Sequence, residues 1–167
     1  VKLLSRTSQC FAYKVFCQNS DDMQLLMTQK LVPSQNLLLL PGSGVNLERF
    51  NPSLKSAHHN EHFTFLYAGR MLQDKGLFEL IEAMVSINKN VRRCNLVLCG
   101  FSNADNRSAI PIAELEEWDK IPGIDWIGPS DNVELVMAEA DCFVLPSYRE
   151  GMPRTILEAG AMGLPVI

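Results

Sequence analysis

Apolar positions along the chain fall into short runs separated by polar turns, and these runs alternate with stretches at helical spacing. Residues 13–17 (Tyr-Lys-Val-Phe-Cys) predict a short buried strand. Ser20 offers an N-cap, Asp21 and Asp22 suit a first turn, and Met23, Leu26 and Met27 form a helical stripe that Pro33 is expected to end. Residues 37–40 are a second strand candidate. The polar stretch that follows carries Pro41-Gly42-Ser43-Gly44 and Pro52, and predicts a domain boundary within residues 41–60.

Beyond it the pattern is regular. Residues 63–68 read as a buried strand, followed by a helix with Leu77, Leu80, Ile81, Met84 and Val85 on one face. Residues 95–99 form the next strand, and Pro111 is placed to open a helix over 111–118. Residues 124–127 form a third strand. Asp131 and Glu134 then stand at capping-box spacing before a face of Val133, Val136, Met137 and Ala140. Residues 142–145 form a fourth strand, 153–162 a helix, and 165–167 the start of a fifth strand. The strands are apolar without alternation, so both faces are expected to be covered. Strand–helix alternation of this kind predicts an α/β, doubly wound, parallel, Rossmann-like sheet. In such sheets ligands bind at the carboxyl ends of the strands, where strand order reverses, so the turns after the first and fourth strands should carry the chemistry.

Composition narrows the classes. Of 167 residues, 47% are hydrophobic and 20% charged, which is ordinary globular usage and excludes disordered and low-complexity classes. A net charge of −4 argues against a nucleic-acid partner. No apolar run approaches the roughly 18 residues that span a bilayer, and no cationic start with an apolar stretch marks a signal peptide. The five cysteines include no C-x-x-C pair, and Cys94, Cys99 and Cys142 lie in apolar runs, so reduced core cysteines and a cytosolic compartment are expected. His58, His59 and His62 share one polar stretch, read as solvated linker rather than as a metal site. A start at Val1 and a stop at Ile167, where a strand is beginning, suggest a piece of a longer protein.

The turn Gly69-Arg70-Met71-Leu72-Gln73-Asp74-Lys75-Gly76 places two cations within six residues, Lys75 at the start of a helix. A planar guanidinium, an ammonium and helix N–H groups together suit a diphosphate. The P-loop order is absent, and from this turn alone two solvated surface cations are the more common reading. The turn after the fourth strand reads Pro146-Ser147-Tyr148-Arg149-Glu150-Gly151-Met152-Pro153-Arg154-Thr155-Ile156-Leu157-Glu158. Carboxylates accept hydrogen bonds from vicinal hydroxyls, so Glu150 and Glu158 suit a sugar. Gly151 admits a ligand to the backbone, and the amides of Gly151 and Met152 suit an anion. Apolar neighbours on either side of Glu158 speak against an ordinary surface helix acid, and a buried carboxylate needs a partner. A paired-carboxylate glycosidase is a rival on spacing alone, although the cations of the neighbouring turn favour a phosphorylated ligand. Gly42-Ser43-Gly44 reads as a linker turn, and Glu139-Ala140-Asp141 as a helix end leading into a strand rather than an acidic metal site.

With these residues the chain resembles a family. Glu150 and Glu158 form the E-x7-E motif of the retaining family-4, or group 1, glycosyltransferases of GT-B fold. Residues 69–76 look like that family's Gly-Arg…Lys-Gly turn, and residues 42–52 look like its interdomain linker. The variant around Glu150 is similar to enzymes of capsule, O-antigen and glycoprotein glycan assembly. The resemblance implies that 1–44 is the end of an N-terminal acceptor domain, 45–60 a linker, and 61–167 an incomplete C-terminal nucleotide-sugar-binding domain. It implies catalytic roles for Arg70, Lys75 and Glu150. Arg70 and Lys75, with Gly69, would hold the donor diphosphate, while Glu150 and the amides of Gly151 and Met152 would contact the transferred sugar. Glu158 would bond the ribose hydroxyls, and Gly128 would border the base. Transfer would proceed with retention through an oxocarbenium-like state, with no metal or cofactor required and the leaving phosphate taking the acceptor proton. The expected donor is a nucleotide-diphosphate sugar, UDP being the expected carrier, and the acceptor a glycan or lipid-linked glycan. The expected place is the cytoplasm or the cytoplasmic face of the membrane. The chain alone is expected to bind donor without transfer and to self-associate. A Gly-x-Gly often found after the family's second strand is replaced here by Gly100-Phe101-Ser102. Readings from other classes are a binding-only or structural module, and a GT-B epimerase or hydrolase.

Overall fold

The computed structural model describes residues 7, 11–40, 42–55, 61–91, 93–102 and 106–167. His58 and His59 lie outside the described residues, as do 56–60 of the expected linker. The chain divides into two compact units, one of residues 1–44 with 150–154 and the other of 45–149 with 155–167.

In the smaller unit, strands β1 (Val15–Cys17) and β2 (Leu37–Leu39) pair in parallel, Val15 opposite Leu37, around helix α1 (Ser20–Thr28). Cys17, Val32 and Leu37 are buried there, with Met23, Leu26 and Leu31 packed on them. The cap of α1 is Asn19, one residue earlier than the expected Ser20. Its extended backbone lets Oδ1 accept from the Asp22 amide at 2.7 Å. Nor does Pro33 stop the helix. Lys30 adopts a left-handed φ of 50°, and the Leu31 amide reaches back to the Leu26 carbonyl, a Schellman ending three residues before the proline.

In the larger unit, strands β3 (Phe63–Ala68), β4 (Cys94–Cys99), β5 (Ile124–Gly128) and β6 (Cys142–Phe143) form a parallel sheet in the order β5-β4-β3-β6. Val166 bridges in parallel to Phe143, so the expected fifth strand begins beside β6. Helices α2 (Leu77–Asn90) and α3 (Ile112–Asp119) join the first three strands, and α4 (Val133–Ala138) and α5 (Arg154–Ala161) follow. One core contains Tyr67, Leu96 and Leu98 from the strands with Leu77, Leu80, Ile81, Met84, Leu115 and Trp118 from α2 and α3. The other contains Leu66, Ala68, Cys99 and Phe143 with Met137, Ala138 and Ala159. Consecutive strand residues thus serve opposite cores, which is why β3 and β4 read as unbroken apolar runs. The sheet is doubly wound, as expected, and order reverses between β3 and β6.

Several local expectations need correction. β5 does alternate, because it is the outer strand: Ile124 is buried while Asp125 and Ile127 are exposed. Val85 lies off the buried face of α2 and is exposed. Asp131 does not cap α4. Asn132 holds that position without a side-chain bond, and Glu134 is engaged elsewhere. Asp141 leads from the end of α4 into β6. Its carboxylate accepts from the Thr64 amide at 2.8 Å and fixes the entry of β3 beside β6. Cys17, Cys94, Cys99 and Cys142 are free and buried.

Candidate functional site

The carboxyl ends of three strands are knitted together by their glycines. The Gly69 amide donates to the Cys99 carbonyl at 2.9 Å, and the Gly100 amide donates to the Gly128 carbonyl at 2.8 Å. Gly100 has φ +155°, and a Cβ there would stand 1.7 Å from the Gly69 carbonyl oxygen. No side chain fits between these turns, so Gly100 serves close backbone approach even without a second glycine after it. Trp126 Nε1 donates to the Gly100 carbonyl at 3.0 Å, and Gly128 has φ +70° with open space where a Cβ would be.

The 69–76 turn is braced on two sides. The Met71 amide donates to the Phe101 carbonyl, the Gln73 amide to the Ser108 carbonyl, and Tyr67 Oη to the Arg70 carbonyl at 2.9 Å. On the other side the Tyr148 amide donates to the Asp74 carbonyl at 3.2 Å, and the Tyr148 hydroxyl donates to the Glu79 carboxylate. That bond holds the Glu79 carboxyl below its ordinary range and pushes the Tyr148 phenol up. Met71 and Leu72 are buried, and Arg70 between Gly69 and Met71 is exposed. The turn's apolar residues are its anchor and its cation is left at the surface. Lys75 is half-buried and ends a 3-10 turn, Gln73–Lys75. Gly76, in left-handed conformation, then starts α2, so Lys75 precedes the helix by two residues rather than opening it.

Glu158 lies in α5 and is only 9% exposed, in keeping with its apolar neighbours. It belongs with Gly69, Arg70, Lys75 and Gly128 to the larger unit, whereas Glu150, Gly151 and Met152 belong to the smaller. Within the smaller unit, Asn19 Nδ2 donates to the Gly151 carbonyl at 3.3 Å. Among the described residues no three His, Cys, Asp or Glu side chains are grouped as a metal site.

One participant was not legible in the chain. Arg49, in the polar segment after the Gly-Ser-Gly turn, donates from Nε to Glu134 at 2.8 Å and from Nη2 to the Asp131 carbonyl at 2.6 Å. Phe50 beside it is buried in the cluster that contains Met137, Ala138 and Ala159. Residues 45–55 are therefore packed into the larger unit. The hydrogen bond to Glu134 pushes the Arg49 guanidinium pKa up, and the negative charges of Glu134, Glu158 and Asp131 add to it. Partial burial is the largest single influence on the Glu134 carboxyl and would raise it, but the Arg49 hydrogen bond, a bond from its own backbone amide and the Arg49 charge together hold that group below its ordinary value. The available signal was Phe50, the one aromatic residue in residues 45–55.

A doubly wound parallel sheet, with a cation-bearing turn after its first strand and a buried carboxylate on the helix after its fourth, defines an open α/β class of domain whose ligands sit at the carboxyl ends of the strands. The profile described as Glycosyl transferases group 1 matches residues 50–167, and the chain belongs to that family. It is 26% identical to the UDP-Gal:alpha-D-GlcNAc-diphosphoundecaprenol alpha-1,3-galactosyltransferase of Escherichia coli, over the whole of this chain and 46% of that protein. It is 31% identical to an amylovoran biosynthesis glycosyltransferase of Erwinia amylovora, over 74% of this chain and 31% of that protein. The fold matches Anabaena HepE in complex with UDP-glucose at a TM-score of 0.79 and 17% identity, over 99% of this chain and 48% of that one. The chain thus spans less than half the length of these relatives.

Proposed function

We propose that this chain is the donor-binding half of a retaining glycosyltransferase that moves a sugar from a nucleotide-diphosphate sugar to a glycan or lipid-linked acceptor in polysaccharide or glycoconjugate synthesis. In this reading 1–44 is the end of the acceptor domain, 45–60 joins the domains, and 61–167 binds the donor. The observation that carries it is the buried Glu158 in the same compact unit as the Arg70 and Lys75 turn, both on elements that follow strands of one parallel sheet. The E. coli relative, named for UDP-Gal and a diphosphoundecaprenol-linked acceptor, and HepE, with its bound UDP-glucose, support the same donor and acceptor classes.

Arg70 and Lys75 would stabilise charge developing on the departing diphosphate, an electrostatic role that costs no reorganisation when the turn is already braced. Glu158 would accept hydrogen bonds from the two ribose hydroxyls, one to each carboxylate oxygen. Glu150 and the amides of Gly151 and Met152 would orient the transferred sugar. The leaving phosphate would take the acceptor proton, so no side chain is required as base. No helix among the described residues is long and apolar enough to cross a membrane, and we place the protein in the cytoplasm or against the membrane's cytoplasmic face. The 167 residues alone would bind donor without transferring it.

Calorimetric titration of the intact protein with UDP, GDP and ADP, each alone and as its sugar conjugate, tests the reading. Tighter binding of one sugar conjugate, weakened by Glu158→Gln, is expected. No binding of any nucleotide would leave a structural module as the better account.

A further inference from the structure

The loop between β5 and α4, residues 129–132, leaves the sheet at the carboxyl end of its outer strand. It has little of its own to hold it. Pro129 to Asn132 are exposed, α4 has no side-chain cap, and the loop's internal side-chain bond is the Asn132 amide on Ser130 Oγ at 3.1 Å. A loop so placed would be poorly defined by local chemistry. Two ties reach it from other elements: the Ser130 backbone amide bonds the Cys99 sulfur at the end of β4, and, from more than eighty residues away in sequence, Arg49 bonds the Asp131 carbonyl at 2.6 Å and the Glu134 carboxylate at 2.8 Å.

Arg49 is itself held on three sides. Asn46 Oδ1 accepts from the amides of Glu48 and Arg49, the Phe50 amide closes the turn on the Asn46 carbonyl, and the guanidinium lies 5.4 Å from the Phe50 ring centroid. Phe50 is buried in the same apolar cluster as Met137 and Ala138 of α4 and Ala159 of α5. Ala159 is the neighbour of Glu158 in sequence, and Glu158 is close enough to Arg49 for its charge to act on the guanidinium. One dipeptide therefore ties together the loop after β5, the start of α4 and the part of α5 that carries Glu158.

We infer that Arg49 is a positioning residue for nucleoside recognition, holding the 129–132 loop in fixed register with Glu158 so that base and ribose are read together. The inference rests on the donor-site reading above, in which Glu158 takes the ribose and the end of β5 borders the base. Arg49 acts through the loop carbonyl and through Glu134 and needs no contact with the ligand. The planar fork matters: Nε and Nη2 address two different acceptors at once, and an ammonium cannot reproduce that geometry. The diphosphate end of the donor, handled by Arg70 and Lys75, is untouched by this tie.

The test is base discrimination, measured on the intact protein as the ratio of dissociation constants for UDP, GDP and ADP. Arg49→Met is expected to weaken the preferred nucleoside diphosphate about tenfold, the loss of one charge-assisted constraint, while inorganic diphosphate binds as before. The ratio between preferred and disfavoured bases should shrink by a similar factor. Arg49→Lys, which keeps the charge and is gentler on folding, should restore part of the affinity but not the full ratio. A merely structural Arg49 would lower the melting temperature and weaken all three nucleotides alike. Base ratios unchanged in both variants would overturn the inference, whereas wild-type protein that binds no nucleotide at all would overturn the donor-site reading instead.

Discussion

The carbonyl oxygen of Pro146 lies 2.2 Å from the place a Cβ on Gly76 would occupy, and Gly76 itself has φ +67°. The exit of β6 thus packs directly on the backbone that starts α2. Gly76→Ala meets both a left-handed conformation and a rigid carbonyl, and is expected to destabilise the fold by about 2–4 kcal/mol. Urea unfolding monitored by tryptophan fluorescence checks this. A midpoint equal to that of the unsubstituted protein would mean that the turn relaxes freely.

Arg70→Ala and Lys75→Ala should leave the fold standing, because the turn is anchored by Met71 and Leu72, which are buried, and by backbone bonds. Each is expected to weaken binding of a nucleoside diphosphate, flatten its salt dependence, and lower turnover of the intact protein roughly 10²–10³-fold. Titration at several salt concentrations and steady-state kinetics would show it. Wild-type affinity and turnover in both variants would remove these cations from the site.

Tyr148 and Glu79 form a pH-sensitive brace between the β6 exit and α2. Glu79 is held below its ordinary carboxyl value, so its contribution is present at neutral pH and is lost as pH falls through the lowered folded-state pKa. Tyr148 is raised, so its contribution is full below the ordinary tyrosine value and is lost as pH rises through the raised one. Tyr148→Phe should move the Glu79 carboxyl up toward its usual titration range. Carbon-detected NMR of Glu79 across an acid titration would read this, and identical curves for both proteins would contradict it.

Activity of the intact protein should survive a chelator, since Arg70 and Lys75 supply the positive charge that a divalent cation would otherwise bring to a diphosphate. Complete loss of transfer, restored by Mg²⁺ or Mn²⁺, would show that the two side chains do not suffice.

A polypeptide of these 167 residues should self-associate through the smaller unit. Phe11 is 89% exposed and Tyr13 87%, and Phe16, Leu38 and Leu39 on the β1–β2 pair are exposed as well. Apolar surface on a two-stranded sheet invites a further partner. Sedimentation across a concentration series should show mass rising with concentration, and Phe16→Lys should suppress it. A monomer throughout would contradict the expectation.

What the chain alone determined is what depends on near neighbours. The run Phe-Thr-Phe-Leu-Tyr-Ala specified β3 residue for residue, since a strand buried on both faces needs no contact information to be recognised. Leu77, Leu80, Ile81 and Met84 marked the buried face of α2, and apolar neighbours marked Glu158 as buried. Alternation of strand and helix implied the doubly wound sheet, because a parallel crossover permits little else. The tertiary structure decided whatever depends on partners distant in sequence. Asp131 and Glu134 have the spacing of a cap, yet Arg49, more than eighty residues earlier, takes the Asp131 carbonyl and the Glu134 carboxylate. Asn19 displaced Ser20 as a cap because the Asp22 amide and carboxylate both face it. That Gly100 must be glycine follows from the Gly69 carbonyl on the neighbouring strand, and Gly76 from Pro146 across the switch in strand order. Local pattern fixes which element forms, but steric approach between turns and the pairing of charges arise only when the sheet brings those turns together.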